Sequence, residues 1–403
     1  MHPMVKPALR RGWRDLDTVQ FGMTPAHAVT LGPVDTATGS FLDLLDGTRG
    51  LALLREEGRR MDLPDGHVDR LVERLAQAGL LDDARGGGPK ADALRERKEV
   101  LDRLRPDLAT LSLLTSEPGD AIEHLTARRG LRVQVRGAGR VGAVLAALLS
   151  GAGIGEVDVR DGGRVEPGDL APGGLPAESV GERRDESARR AVRRAAPGPA
   201  PRRGPGSPAE ADTPGLSLVI IAPREDVSVH VPGPAAAEPL IASGTPHLYA
   251  GVVEGTGVVG PLVLPGETGC AGCLHQARTD QDPAWPRLVA QWQSGRRRGA
   301  RACDVTLATT VAGLAAAHAL TFLDGRTPSS AGTRWEVSLP ALRWDARPVR
   351  PHAACLCGAA EKGKREHTSE DRGAHATMAV QHSTEFRRRT DTARLPGTWR
   401  AHV

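Results

Sequence analysis

The strongest constraint on the fold lies at residues 132–150, where a β-rich run (Arg-Val-Gln-Val-Arg), a glycine turn (Gly137-Ala138-Gly139-Arg140-Val141-Gly142) and an apolar helical run follow one another directly. The turn reads G-x-G-x-x-G in the strand-to-helix setting that gives the pattern physical meaning. Small residues let the backbone approach a phosphate at the positive N-terminal end of the helix. The next strand-like run, residues 156–160, delivers Asp161 about 20 residues further on, where a carboxylate meets ribose hydroxyls. Gly137, Gly139, Gly142 and Asp161 are therefore candidate nucleotide contacts. The competing reading is that the glycines only permit tight packing of strand on helix.

Around this turn, residues 131–357 alternate strand-like and helix-like runs, which implies an α/β class: a Rossmann-like domain with a mostly parallel sheet. Residues 195–215 interrupt it with so much Pro and Gly that a surface loop or disordered insertion is expected. A small α+β block, residues 1–83, comes first. Its extended runs at 18–22 and 28–31 flank a turn at Thr24-Pro25 and read as a hairpin. Helices are expected at 37–45, 51–60 and 65–79, the last with Val68, Leu71, Val72, Leu75 and Ala78 on one face. Residues 84–130 read as a Gly-rich hinge and a connecting helix, followed by a short strand at 111–114. Residues 358–403 are polar and aperiodic and read as a disordered tail. The 48 glycines and 31 prolines among 403 residues, about a fifth of the chain, fit Pro/Gly-rich segments between ordinary domains.

Five cysteines are present. Cys270-Ala271-Gly272-Cys273 and Cys355-Leu356-Cys357 form two close thiol pairs on turns, which fit a closed tetrahedral Zn²⁺ site of structural type. A redox pair or unligated thiols remain the alternatives, because the second pair has one intervening residue where two are usual. Cys303, beside an apolar run, reads as a core thiol, and His352 is an alternative ligand. Residues 1–14 hold no apolar run of signal-peptide length, so a cytoplasmic location with reduced cysteines is expected. Residues 305–323 approach membrane length, yet their Ala and Thr content and His318 favour a buried core helix, and no membrane partner is expected. A formal charge of +4, with 49 acidic residues among 53 basic ones, leaves no basic stripe for nucleic acid.

The order of strand, G-x-G-x-x-G, Asp-terminated strand, Val180-Gly181-Glu182-Arg183-Arg184-Asp185-Glu186-Ser187-Ala188, C-x-x-C and late cysteine pair resembles the ThiF/MoeB/HesA family, relatives of ubiquitin-activating enzymes. The resemblance covers residues 111–357 and implies ATP-dependent adenylation of the C-terminal carboxylate of a small protein or peptide, with a structural zinc held by two cysteine pairs. It makes Gly137, Gly139, Gly142 and Asp161 nucleotide contacts, puts Arg184 where the family has a phosphate-binding Lys, and allows a homodimer.

Departures from the family pattern bear on the chemistry. Gly162-Gly163 follows Asp161, and Asp169-Leu170-Ala171-Pro172 replaces the segment carrying the family's essential Arg. The family's Mg²⁺-binding Asp falls where this chain reads Ala222-Pro223-Arg224-Glu225-Asp226, leaving Glu225 or Asp226 as the candidate to hold Mg²⁺. Adenylation needs a metal and cations placed where charge develops, so slow or absent ATP turnover is expected.

The first block, through its hairpin, three helices, Leu45-Asp46-Gly47-Thr48 turn and Gln77-Ala78-Gly79-Leu80-Leu81 ending, is similar to winged-helix-like PqqD-type leader-recognition domains. Fused to a ThiF-like domain, this resembles proteins that present a precursor leader peptide to a cyclodehydratase in thiazole/oxazole peptide biosynthesis. Such a domain adds the peptide as a strand to a sheet edge, for which 18–22 and 28–31 are the candidates, with Leu71, Leu75 or Leu80 lining a groove. A winged-helix DNA regulator is disfavoured, since residues 65–79 mix Arg70 and Arg74 with Asp65, Asp69 and Glu73.

Overall fold

A computed structural model of the chain describes residues 1–199, 215–294 and 300–360. Most of the expected insertion at 195–215, and the expected tail beyond Ala360, lie outside the described residues.

The first block contains β1 (Pro3–Val5), β2 (Arg11–Trp13), β3 (Val19–Phe21), β4 (Val29–Leu31), α1 (Thr36–Phe41), α2 (Leu51–Arg60), α3 (His67–Gln77) and β5 (Leu81–Asp83). Alternation drives the sheet: Val19 and Phe21 are fully buried while Gln20 between them is not. On α3, Val68, Leu71, Val72 and Leu75 fall on one face and pack with Phe41, Leu54 and Leu81. Asp35 caps α1 by accepting from the Thr38 N–H at 2.7 Å. The block closes on itself because β1 pairs antiparallel with β5, Val5 opposite Leu81.

Two expectations for this block are corrected. The strand within 18–22 is not an edge: β3 pairs with β2 on one side and β4 on the other, so the open edges are β2 and β4. Strand β2 escaped the sequence reading because all three of its residues are exposed and leave no alternation to see. Leu71, Leu75 and Leu80 do not line a groove either, since each is buried in the core of the block.

Three helices follow, α4 (Gly88–Arg95), α5 (Lys98–Leu114) and α6 (Asp120–Arg128), with a core of their own around Leu94, Leu104, Leu111 and Leu125. The strand expected at 111–114 is instead the last turn of α5, where Leu111 continues the helical spacing begun at Val100 and Leu104. The first block is fastened to these helices. Asp82 Oδ1 accepts from the Gly119 N–H at 2.8 Å, and the buried Lys6 Nζ donates to the Thr115 carbonyl at 2.7 Å. Gly86 and Gly87 lie against Gly119 and Ile122 so closely that a Cβ on either would come within 2.8 Å of them.

The remaining elements are β6 (Arg132–Arg136), α7 (Arg140–Gly151), β7 (Glu156–Arg160), α8 (Arg184–Ala195), β8 (Leu218–Ile221), α9 (Asp226–His230), α10 (Pro234–Ala242), β9 (His247–Val253), β10 (Thr256–Val263), α11 (Ala271–Gln281), α12 (Trp285–Ser294), α13 (Val305–Leu323), β11 (Thr333–Ser338) and β12 (Arg343–Pro348). They build one seven-stranded sheet in the order β12-β11-β10-β9-β8-β6-β7. Strands β7, β6, β8 and β9 run parallel, and β10 to β12 extend the sheet as antiparallel neighbours. This is the expected α/β, Rossmann-like architecture with a mostly parallel sheet. Helices α8, α7 and α13 pack side by side against it, and α13 buries Leu307, Val311, Ala315 and Ala319 in the core. By length and composition α13 alone among the described helices reaches the dimensions of a membrane span.

A buried ion pair ties α6 to the end of α13: Arg128 Nε and Nη2 donate to the two Asp324 carboxylate oxygens at 2.8 and 2.6 Å, with both side chains almost fully buried. Breaking one half leaves an uncompensated charge in the core. The Arg128→Met variant is expected to lose about 3–5 kcal/mol in urea denaturation, and adding Asp324→Leu should recover part of that loss. Unchanged stability in Arg128→Met would show that the pair does not hold the two helices.

Candidate functional site

The carboxyl ends of β6 and β8 deliver two loops to one place. The turn after β6 needs glycine twice for packing. Gly137 has φ +103°, and a Cβ there would sit 2.0 Å from the Ala222 carbonyl oxygen; a Cβ at Gly142 would sit 2.0 Å from the Gly137 oxygen. Gly139 differs. Its nearest neighbour is the aliphatic stem of Arg224 at 3.4 Å, which belongs to the loop after β8. Packing thus requires glycine at 137 and 142, while 139, together with 142, also borders a ligand-sized space.

That space is a cavity of about 540 Å³ at the N-terminus of α7, walled by Gly139, Arg140, Gly142, Glu166, Asp169, Arg224, Glu225, Arg301 and Cys303 among others. Of the residues expected from sequence, Gly139, Gly142 and Glu225 are on the wall. Gly137, Asp161 and Arg184 stand behind it, and Asp226 opens α9 next to it. Asp161 Oδ2 accepts from the Ala138 N–H, while Oδ1 accepts from the Gly163 N–H and from Arg184 Nη1, each at 2.9 Å. Arg184 is buried, donates Nη2 to the Arg164 carbonyl at 2.7 Å, and faces Asp169 at 3.3 Å. It links two carboxylates, its Nη1 and Nη2 both donate, and its buried Nε faces Asp169 without a hydrogen bond.

Sequence reasoning missed the charged wall. Arg224 donates Nε to Asp169 Oδ1 at 2.5 Å and Nη2 to Glu166, whose carboxyl it holds below the usual carboxylate range. Arg301 Nη1 donates to the Arg224 carbonyl at 3.0 Å, and Arg140 Nη1 donates to the Cys303 carbonyl at 2.8 Å. Burial pushes the Cys303 thiol up against the opposing pull of Arg140 and Arg301. Arg140 inside the glycine turn and Arg224 beside Pro223 were the visible signals. Arg301 comes from a segment far along the chain, and only the fold brings it here.

A second centre forms where α11 begins. Cys270 and Cys273 meet Cys355 and Cys357, with all four Sγ atoms within 4.8 Å of one another. The Cys270–Cys273, Cys270–Cys355 and Cys273–Cys357 separations are 3.8, 3.6 and 3.5 Å. Disulfide sulfurs would be about 2.05 Å apart, whereas four sulfurs about 2.3 Å from one tetrahedral ion lie about 3.8 Å from each other. The quartet therefore has the dimensions of a metal site. The Cys273 thiol is pulled down to about 4, chiefly by the hydrogen bond from the Cys270 thiol and also by the His352 N–H, and Cys270 as donor is pushed up. His352 is not among the sulfur ligands. Its Nε2 meets Asp280 at 2.8 Å and its Nδ1 accepts from the Ala354 N–H at 3.1 Å, so both ring nitrogens are taken.

Comparison with protein families matches residues 121–359 to the ThiF family. The chain belongs to the ThiF family. Among solved structures, E. coli MccB is similar at a TM-score of 0.63 and 14% identity, covering 89% of this chain and 100% of MccB. The heterocyclase TruD is similar at 0.57 and 18% identity, covering 91% of this chain and 44% of TruD. At these identities the likeness is one of fold. No curated protein matches the sequence.

As a ThiF-family cavity this one is charge-balanced, with three arginines and three carboxylates named on its wall. It offers guanidinium and helix N-terminal N–H groups to an anion, and four thiols at a separate point to a metal. The three glycines separate the two roles of the turn experimentally. Gly137→Ala and Gly142→Ala should each cost at least about 2–3 kcal/mol in urea denaturation, because the added Cβ meets backbone oxygen that cannot move aside. Gly139→Ala should fold with near-native stability; equal losses at all three positions would contradict the assignment.

Proposed function

We propose that this ThiF-family chain recognises the leader of a ribosomally made precursor peptide and presents it for modification, with adenylation in its own cavity slow or absent. The observation that carries the reading is the open three-stranded sheet of the first block. The bonded pairs Arg14 N–H to Thr18 and Gly22 N–H to Arg10 turn the Arg11 and Trp13 backbone of β2 outward. By the same alternation Thr30 of β4 faces outward. An extended peptide can add to either edge through main-chain hydrogen bonds. MccB has been solved with the MccA peptide and is described as a microcin C7 biosynthetic enzyme, and TruD is a heterocyclase; both support a place in peptide modification. The partner on this reading is a separate modifying enzyme such as a cyclodehydratase.

A second reading, ATP-dependent adenylyltransfer to a peptide or small-protein C-terminus, draws on the cavity at the α7 N-terminus and on MccB having been solved with ATP. In that reading Glu225 or Asp226 would hold Mg²⁺ and Gly139 and Gly142 would face phosphates, while Asp161 and Arg184 would act by holding the turn in shape. Peptide-dependent exchange of pyrophosphate into ATP separates the readings: it is expected to be at background, and robust exchange would favour the adenylating enzyme.

In either reading the four thiols hold one structural Zn²⁺ that fastens residues 351–360 to the start of α11. The chemistry is that of a closed all-thiolate site, with no position left for a reacting ligand. Metal analysis of purified protein should find about one zinc per chain, lost in Cys273→Ser or Cys357→Ser together with thermal stability, because binding energy at such a site is folding energy. Retention of zinc by a variant lacking all four thiols would refute the ligand set.

Leader binding is tested on the full chain by titration with candidate leader peptides. Proline on an edge strand is tolerated where its missing N–H faced outward. Thr30→Pro should weaken the peptide about tenfold or more if β4 is the docking edge, and Trp13→Pro should do so if it is β2. Full affinity in both folded variants would eliminate strand addition.

A further inference from the structure

We propose that Cys270 and Cys355 form an oxidation site: a small peroxide that reaches them through the groove between α10 and α11 joins them in a disulfide and so releases the metal the four thiols hold. The release of metal rests on the zinc reading above, whereas the disulfide is read independently of it.

The members of the quartet are not equally placed. A cavity of about 520 Å³ is walled on the α10 side by Pro234, Ala235 and Ala242 and on the other by Cys270, Cys355 and Cys357. Cys273 is not on that wall and is fully buried. The Cys270–Cys355 contact at 3.6 Å therefore has both sulfurs on the cavity side. Cys357 shares the wall, but its 3.5 Å sulfur contact is with Cys273 behind it.

Gly272 keeps the pair open. It lies on the same wall, and a Cβ there would come 2.9 Å from the Cys355 sulfur and 3.5 Å from the Cys270 sulfur. Any other residue would press on both sulfurs, and glycine leaves them facing the cavity. Among the described residues Glu238 is the one carboxylate on this wall, so a neutral oxidant such as hydrogen peroxide meets little charge on its way in.

A thiol bound to a divalent ion is deprotonated, and the thiolate is the form that peroxide attacks. The half-buried Cys355 thiolate takes one oxygen from hydrogen peroxide, giving a sulfenic acid and hydroxide. The Cys270 thiolate then attacks the Cys355 sulfur, the S–O bond breaks and a second hydroxide leaves. The two sulfurs lose two electrons in all, peroxide gains them, and two solvent protons turn the hydroxides into water. Cys273 and Cys357 alone offer too few thiolates for a tetrahedral site. Residues 351–360 thereby lose their fastening to the start of α11, while β11 and β12 stay paired.

The test treats the zinc-loaded full chain with hydrogen peroxide, follows released zinc with a chromogenic chelator and maps disulfides by mass spectrometry of non-reduced digests. The expected result is a first disulfide joining Cys270 to Cys355, zinc released in step with it, and both reversed by reductant with added zinc. Filling the cavity with Ala235→Leu should slow both about fivefold, because thiol reactivity follows access, at unchanged zinc content and melting temperature. A first disulfide between other cysteines would overturn the proposal. So would zinc release at the original rate in folded Ala235→Leu, or an unmodified quartet in chains whose Cys303 has been oxidised. Protein purified without zinc would overturn the zinc reading instead, and the disulfide map would still decide the pair.

Discussion

The carboxylate of Asp161 organises the functional half of the molecule. With one oxygen it fixes the glycine turn after β6, and with the other it fixes the backbone of its own loop and the guanidinium of Arg184. Arg184 passes the constraint to Asp169, and Asp169 to Arg224, which lies over Gly139. A single buried alternation of charge thus runs from the end of β7, round the back of the turn, into the loop after β8. The cost of desolvating these groups is offset only if every member keeps its partners, which makes the shape of the cavity a collective property of the network.

Much of this was legible in the sequence, for specific reasons. The glycine turn showed itself because local chemistry dictates it: a Cβ at Gly137 or Gly142 would collide with backbone whatever the rest of the chain did. The thiol quartet showed itself through spacing alone. Helix α3 was read from its apolar face, and α13 from a long apolar run that proved to bury one side in the sheet's helical layer. What stayed hidden depended on partners distant in sequence. Strand β2 carries no apolar alternation, β1 is recognisable only once β5 is beside it, and the end of α5 looked like a strand because Leu-Ser-Leu-Leu suits either structure.

The candidate site divides along the same line. Sequence pattern marked positions by their place in a motif, and so pointed at Asp161 and Arg184. In space these two face each other behind the wall, while the wall itself comes from Arg140, Glu166, Asp169, Arg224 and Arg301. A motif records which backbone shape is needed. It does not record which side of that shape each side chain occupies, and ion pairs spanning more than fifty residues, such as Arg224 with Asp169, leave no local trace.

The sulfur quartet draws half its members from residues 270 and 273 and half from 355 and 357, late in the described fold. During synthesis the first pair leaves the ribosome well before the second exists. Until Cys357 emerges, Cys270 and Cys273 can offer a passing ion only two thiolates, too few to close a tetrahedron. The sheet's last strands, β11 and β12, lie between the two pairs in sequence. A metal held by this quartet would thus act as a checkpoint on the order of synthesis, sealing the domain only once all seven strands have been made.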